Sequence, residues 1–462
     1  MTDLTRRGFT SLLAGGLTAA VLPKPVFAAT SVDLAARPGK ARLVPDGYPE
    51  TAIWGFDGQV PGPIIRVRQG EPVSRRFLNR LSQPSTVHWH GVRIDNAMDG
   101  VPDLTQSPVA AGDAFHYDFR VPDAGTYWYH PHTRSYEQMA RGLYGALIVE
   151  EPQGAPEVDR DEVLLIDDWR LTETAQIADG FDNIHDWAHA GRIGNWITVN
   201  GDGRWRTTVS RNTRLRLRLV NVANARIFAL ATRGLEGWVV ALDGMPLDAP
   251  QPLDSLVLAP AQRADLIVDV TAEDGKEAAL VSRDRDGAFK IATFAVDGEA
   301  RAERLATPKA LPANPVAAFG ALSSARKADL LMEGGAMGGM RGAMMGGRMM
   351  GIQQMAQAGK IWAFNGMADL PREPLIAADR GETIRIAITN DTAWPHAMHL
   401  HGHHFRQVMS GGSLGPLRDT LLMERGDKAE IAFVADNPGD WLLHCHMLEH
   451  AAGGMMTWIR VA

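Results

Sequence analysis

The chain has 462 residues, too many for one ordinary core, and about 150 residues per domain points to three domains. Its net charge of −7 excludes a nucleic-acid partner, which would need a basic face, and suits an acidic, soluble globular protein. A single cysteine excludes an internal disulfide framework.

The first segment reads Thr5-Arg-Arg-Gly-Phe-Thr10, then the weakly apolar run Ser11–Leu22 and a small-residue end at Val26-Phe-Ala28. A charged region, an apolar run and a cleavage-like site in that order are the layout of a removable export signal, and Arg6-Arg7 resembles the twin-arginine type. Residues 1–28 are therefore expected to be removed during passage through the twin-arginine machinery into the periplasm. Their loss takes Arg6, Arg7 and Lys24 against Asp3 and leaves a charge of −9. No later stretch has the roughly 18 apolar residues of a membrane helix.

From there the chain reads as strands. Pro63–Arg68, Thr213–Val220 and Thr383–Thr389 alternate polar and apolar residues, the pattern of half-buried strands in β-sandwiches. Each follows a turn phrase, Trp54-Gly-Phe-Asp-Gly58, Val199-Asn-Gly201 and Phe364-Asn-Gly366, and three such copies imply three related sandwiches. Polar breaks at Glu150–Pro156 and Asp297–Pro315 place the domains at 29–152, 157–298 and 316–462. Between Met332 and Met355 stand eight methionines among many glycines, expected to be a low-complexity insertion without strand structure.

The chemistry is carried by four His-X-His pairs: His88/His90, His130/His132, His399/His401 and His444/His446. On a strand, residues two apart share a face, so each pair presents two imidazoles together and the residue between faces away. For the last pair that residue is Cys445, the only cysteine. One face of the tripeptide can thus hold a metal through Cys445 with His396, His450 and Met455, a His₂Cys set with a weak thioether that suits blue copper. The other face adds two imidazoles to six more, enough donors for several coppers.

In these motifs the chain resembles the three-domain multicopper oxidases, the family of laccases and bacterial copper-efflux oxidases. The resemblance rests on His88-Trp-His-Gly91, Trp128-Tyr-His-Pro-His132, His396-Ala-Met-His-Leu-His-Gly402 and His444-Cys-His-Met-Leu-Glu-His450 with Met455, and extends over the mature chain. It implies an all-β fold of three cupredoxin-like Greek-key sandwiches, the Met-rich insertion opening the third. It also implies four copper ions: type 1 on His396, Cys445, His450 and Met455; type 2 on His88 and His399; and type 3 on His90, His130 and His446 and on His132, His401 and His444. Asp99, eleven residues after His88, falls where the family places a proton-relaying acid.

The implied activity is one-electron oxidation of a reductant coupled to reduction of dioxygen to water, by a monomer. The reductant is either cuprous ion or a small phenol. Thioethers are soft ligands that favour cuprous ion, so Met332, Met337, Met340, Met344, Met345, Met349 and Met350 are candidate cuprous-ion residues, with a lid over the type 1 site as the other reading of the segment. Two departures from the copper-efflux pattern stand out. Ala451 and Ala452 follow His450 where a second acid is usual, and Asn390–Pro395 carries Asp391 out of register and Trp394 in place of a methionine. A copper-free scaffold of the same fold and a copper store are the alternatives of other classes, and the intact histidine set argues against both. His116, His185, His189, His403 and His404 are expected to be ordinary surface or core residues, the last two near enough to support the ligands.

Overall fold

The computed structural model describes residues 31–284 and 287–462; the expected export signal lies outside them. It is an all-β molecule of three stacked-sheet units, and among the described residues the α-helical segments are short, the longest being Ile352–Gln357. No helix there is long and apolar enough to cross a membrane.

The three turn phrases do the same work in each unit. Asp57-Gly58, Asn200-Gly201 and Asn365-Gly366 all lie in the left-handed region and close two-residue hairpin turns, with Phe56 facing Gln59, Val199 facing Asp202 and Phe364 facing Met367. Asn, Asp and Gly tolerate positive φ, and such turns match the strand twist.

The first unit has two four-stranded sheets, one of which carries His88–His90 beside Gly125–His130. The second pairs a six-stranded with a five-stranded sheet around Leu215, Leu217, Leu219, Phe228, Leu266 and Phe294. The third repeats that plan, and its five-stranded sheet sets His396–Leu400 against Gly439–Cys445. The apolar cores of the first and third units are continuous, running from Trp89 and Tyr129 to Met398, Trp441 and Leu443. Their histidine-bearing strands are thereby held against each other.

Two expectations are corrected. Arg214–Asn221 is buried along its whole length although it alternates Arg with Leu, because Arg214, Arg216 and Arg218 face Asp269, Asp265 and Asp161. The 297–315 linker helps cover this face: the carbonyls of Leu305 and Ala306 accept from Arg214. Nor is the Met-rich segment without strands. Gly342–Met345 and Arg348–Gly351 form a hairpin, with Met344 facing Met349 across a Gly346-Gly347 turn at φ 56° and 80°. Met332 and Met355 are fully buried and serve as core.

Candidate metal centres

Two centres lie on opposite sides of Cys445. On one side, Cys445 Sγ stands 3.5 Å from His396 Nδ1 and 3.8 Å from His450 Nδ1, and these two nitrogens are 3.0 Å apart. Strand pairing sets Cys445 opposite Met398, two residues beyond His396. The short helix Leu448–Ala452 returns His450 to the same place. Met455 is fully buried, and its carbonyl accepts from the Cys445 amide.

Both imidazoles have their far nitrogen occupied by protein. His396 Nε2 is 2.8 Å from Thr392 Oγ1, and His450 Nε2–H donates to the His189 carbonyl at 2.7 Å. Trp362 lies over His450, ring centroids 4.5 Å apart.

On the other side, eight histidines interleave. His88 stacks on His401 at 4.0 Å and His90 on His399 at 3.8 Å, one ring of each pair from the first unit and one from the third. Nε2 atoms converge: His401 with His444 at 3.1 Å, His446 with His130 at 3.4 Å. The donor groups His88/His399/His401, His88/His90/His130 and His132/His401/His444 each gather within 4.8 Å. His444 and His446 point here while Cys445 between them faces the first centre, as strand alternation requires.

Asp99 is wholly buried; its carbonyl accepts from His88 Nδ1 at 2.8 Å and its Oδ2 from His401 Nδ1 at 2.9 Å. A carbonyl or carboxylate on Nδ1 fixes the tautomer and leaves Nε2 as the free donor. Asp419 is a residue that sequence reasoning missed. Buried in an ion pair with Arg263 at 2.6 Å, it also lies 3.5 Å from His90 Nε2 and His399 Nδ1, while its carbonyl accepts from His399 Nδ1. Burial alone would raise its carboxyl; Arg263 and the histidine contacts hold it well below the usual range. The signal available was an Arg-Asp pair, Arg418-Asp419, before the apolar Leu421-Leu-Met423.

His403 and His404 are buried second neighbours, on the His401 and Asp243 carbonyls, and His116 is exposed. His189 departs from expectation by reaching the first centre through its backbone. Of the candidate methionines, Met337 and Met349 are strongly exposed and Met340, Met344, Met345 and Met350 partly so.

The donors suit copper. Burial, and then the other histidines, hold His130, His401, His444 and His446 well below their ordinary value, and His132 at about 3, so all are neutral imidazoles of the kind a metal can bind. The facing nitrogens of His396 and His450, 3.0 Å apart, and of His401 and His444, 3.1 Å apart, are left as lone pairs by the hydrogen bonds on their other ring nitrogens, and lone pairs so close repel unless a cation lies between them. His88, His90 and His399 each leave a buried Nε2 with no hydrogen-bond partner, a cost of about 1–3 kcal/mol apiece that a metal would remove. Burial pushes the Cys445 thiol up to about 12, so a thiolate there needs a bound cation.

Comparison with known proteins agrees. Three successive stretches, 39–154, 160–292 and 347–462, each match the multicopper oxidase family. A solved structure, Lac15 from a marine microbial metagenome, is 44% identical over 93% of this chain and all of that one, with a TM-score of 0.76. The chain belongs to the multicopper oxidases. Copper is thus its cofactor and dioxygen its electron acceptor. Two further relatives of this multicopper oxidase are MmcO of Mycobacterium tuberculosis, 29% identical over 98% of this chain and 96% of the relative, and copper resistance protein A of Pseudomonas syringae pv. tomato, 25% identical over 94% and 93%.

Proposed function

We propose that this multicopper oxidase is a periplasmic cuprous oxidase of copper tolerance, holding four coppers in three domains at 29–152, 157–298 and 316–462. His396, Cys445, His450 and Met455 would hold type 1 copper. His88 and His399 would hold type 2, and His90/His130/His446 and His132/His401/His444 the type 3 pair. Bound copper supplies one-electron oxidation at the first centre and four-electron reduction of dioxygen at the second. Cys445 joins them covalently through His444 and His446. Asp99, in contact with His88 and His401, would hand protons towards the cluster.

The observation that carries the cuprous reading is where the Met-rich segment is fastened. Its Ala336 amide donates to the Ala188 carbonyl at 2.7 Å and its carbonyl accepts from Trp394 Nε1 at 3.0 Å. Ala188 adjoins His189, which holds His450, and Trp394 lies two residues before His396, so the Met-rich segment is fastened, next to Met337, beside the proposed type 1 centre. The relative named for copper resistance supports the same reading.

A phenol is the second reading, favoured by a cavity of about 430 Å³ lined by Met344, Phe364, Met367, Leu375 and Met456, large enough for a single ring. One experiment separates them: replace Met345, Met349 and Met350, which do not line that cavity, together by leucine and compare oxygen uptake driven by cuprous ion and by a phenol. Cuprous-driven uptake is expected to fall about tenfold or more while phenol-driven uptake holds; undiminished cuprous-driven uptake would favour the phenol.

A further inference from the structure

We propose that His185 and His189, with Met337, dock a single cuprous ion at the outer edge of the type 1 centre, an inference that rests on the cuprous reading above. The type 1 histidines cannot meet a substrate directly, because Thr392 and the His189 carbonyl already occupy their outward nitrogens. Electrons must therefore come in through what covers them.

The cover over His450 comes from the middle unit. The segment Ile184–Ala188 ends at His189, whose carbonyl takes the His450 N–H. The His189 ring is thus a few covalent bonds and one hydrogen bond from a type 1 ligand. It lies between His185, stacked at 4.0 Å and 11°, and Trp394, at 5.1 Å.

The pair is prepared for a metal in the way ligand histidines usually are. His189 Nδ1–H donates to the His185 carbonyl at 2.8 Å, which fixes the tautomer and leaves Nε2 as a lone-pair donor. No hydrogen bond holds the exposed His185 ring, so it can turn off the stack until both nitrogens meet one ion. Histidines four apart on a helical turn reach the same ion in other proteins.

The third donor comes from the Met-rich segment. Met337 follows Ala336, which is hydrogen-bonded to both Ala188 and Trp394. It is 78% exposed and sits at φ 64°, a conformation costing a methionine about 1 kcal/mol or more. Two imidazoles and a thioether without a carboxylate favour cuprous ion over hard cations. Each docked ion gives up one electron towards His450 and departs as cupric ion; four such losses, with four protons, convert one dioxygen to two waters.

Silver(I), a soft monovalent ion that does not donate an electron, tests docking apart from turnover. Its binding to the copper-loaded protein is measured by equilibrium dialysis in the background with leucine at 344, 345, 349 and 350, which silences the hairpin. The background should bind one silver ion at this site, and His185→Phe and His189→Phe should each weaken it about tenfold or more. His189→Phe keeps the carbonyl on His450, so an unchanged thiolate-to-copper absorption band shows the type 1 centre intact. The KM for cuprous ion should rise in both variants. Silver binding that is absent from the background, or equal in background and variants, overturns the docking site. Lack of cuprous-driven uptake by the unmodified enzyme overturns the functional reading instead.

Discussion

Asp419 has no exposed surface, yet its carboxylate faces Arg263 at 2.6 Å and its carbonyl holds His399. Replacing it with Ala leaves the Arg263 charge buried without its main partner, a loss of about 3–5 kcal/mol. Denaturant unfolding should show that loss, and metal analysis should show fewer coppers per chain, since His90 and His399 lose their orienting neighbour. Asp99→Asn tests a different role. An amide keeps the size of Asp99 but not its charge or proton affinity, so oxygen reduction should slow about 10–100-fold while the type 1 absorption stays. Full activity across pH would remove Asp99 from the proton path. The gathering of the paired histidines, with Cys445 turned to the other centre, was legible because strand alternation converts spacing into facing. Asp419 was not, since its partners are 156, 329 and 20 positions away, at Arg263, His90 and His399, and no local spacing records such contacts.

At the scale of elements, the Met hairpin shows how composition can mislead. Glycine and methionine lack strand propensity, so the segment reads as low complexity. The structure comes instead from the Gly346-Gly347 turn and from bonds to a neighbour: the Met344 amide donates to the Gly366 carbonyl, and the Met344 carbonyl accepts from Ala368. A Gly-Gly between two short runs was the available hairpin signal. Gly346→Ala meets no atom within 4 Å, so its only penalty is the positive φ, about 1 kcal/mol. Amide exchange at Met344 and Ala368 should then quicken several-fold with no change in global unfolding, because the hairpin packs only on a small cluster around Met355. Arg214–Asn221 taught the converse: its alternation was read correctly as a strand, but sequence alone did not show that carboxylates from Glu151, Asp161 and Asp265 would bury the arginine face.

Across the whole molecule, the eight-histidine cluster needs the first and third units held together, and the second unit is pinned to the first by charge. Asp265 accepts from Thr126 of the first unit at 2.6 Å and from Arg216 at 2.7 Å, with Arg218 at 3.2 Å, while Arg216 also reaches Glu151 at 2.9 Å. Burial alone would raise the Asp265 carboxyl, but Arg216 and Arg218 outweigh it and hold the group below its ordinary value. A depressed folded pKa means stability that is complete above the ordinary carboxylate range and lost as pH falls through the folded value. Asp265→Asn removes that contribution and leaves two buried guanidinium groups short of a counter-charge. Its stability at pH 7 should be lower by about 3–5 kcal/mol. The gap should begin to narrow below about pH 4, where the unfolded carboxyl protonates, and close only below the depressed folded value, where acid protonates the same carboxyl in the parent. The gap between the two unfolding curves, followed by denaturant titration from pH 7 down to pH 3, isolates Asp265 from the acid-sensitive copper ligands that both share. A gap that stays constant with pH would mean that this ion network does not tie the two units together.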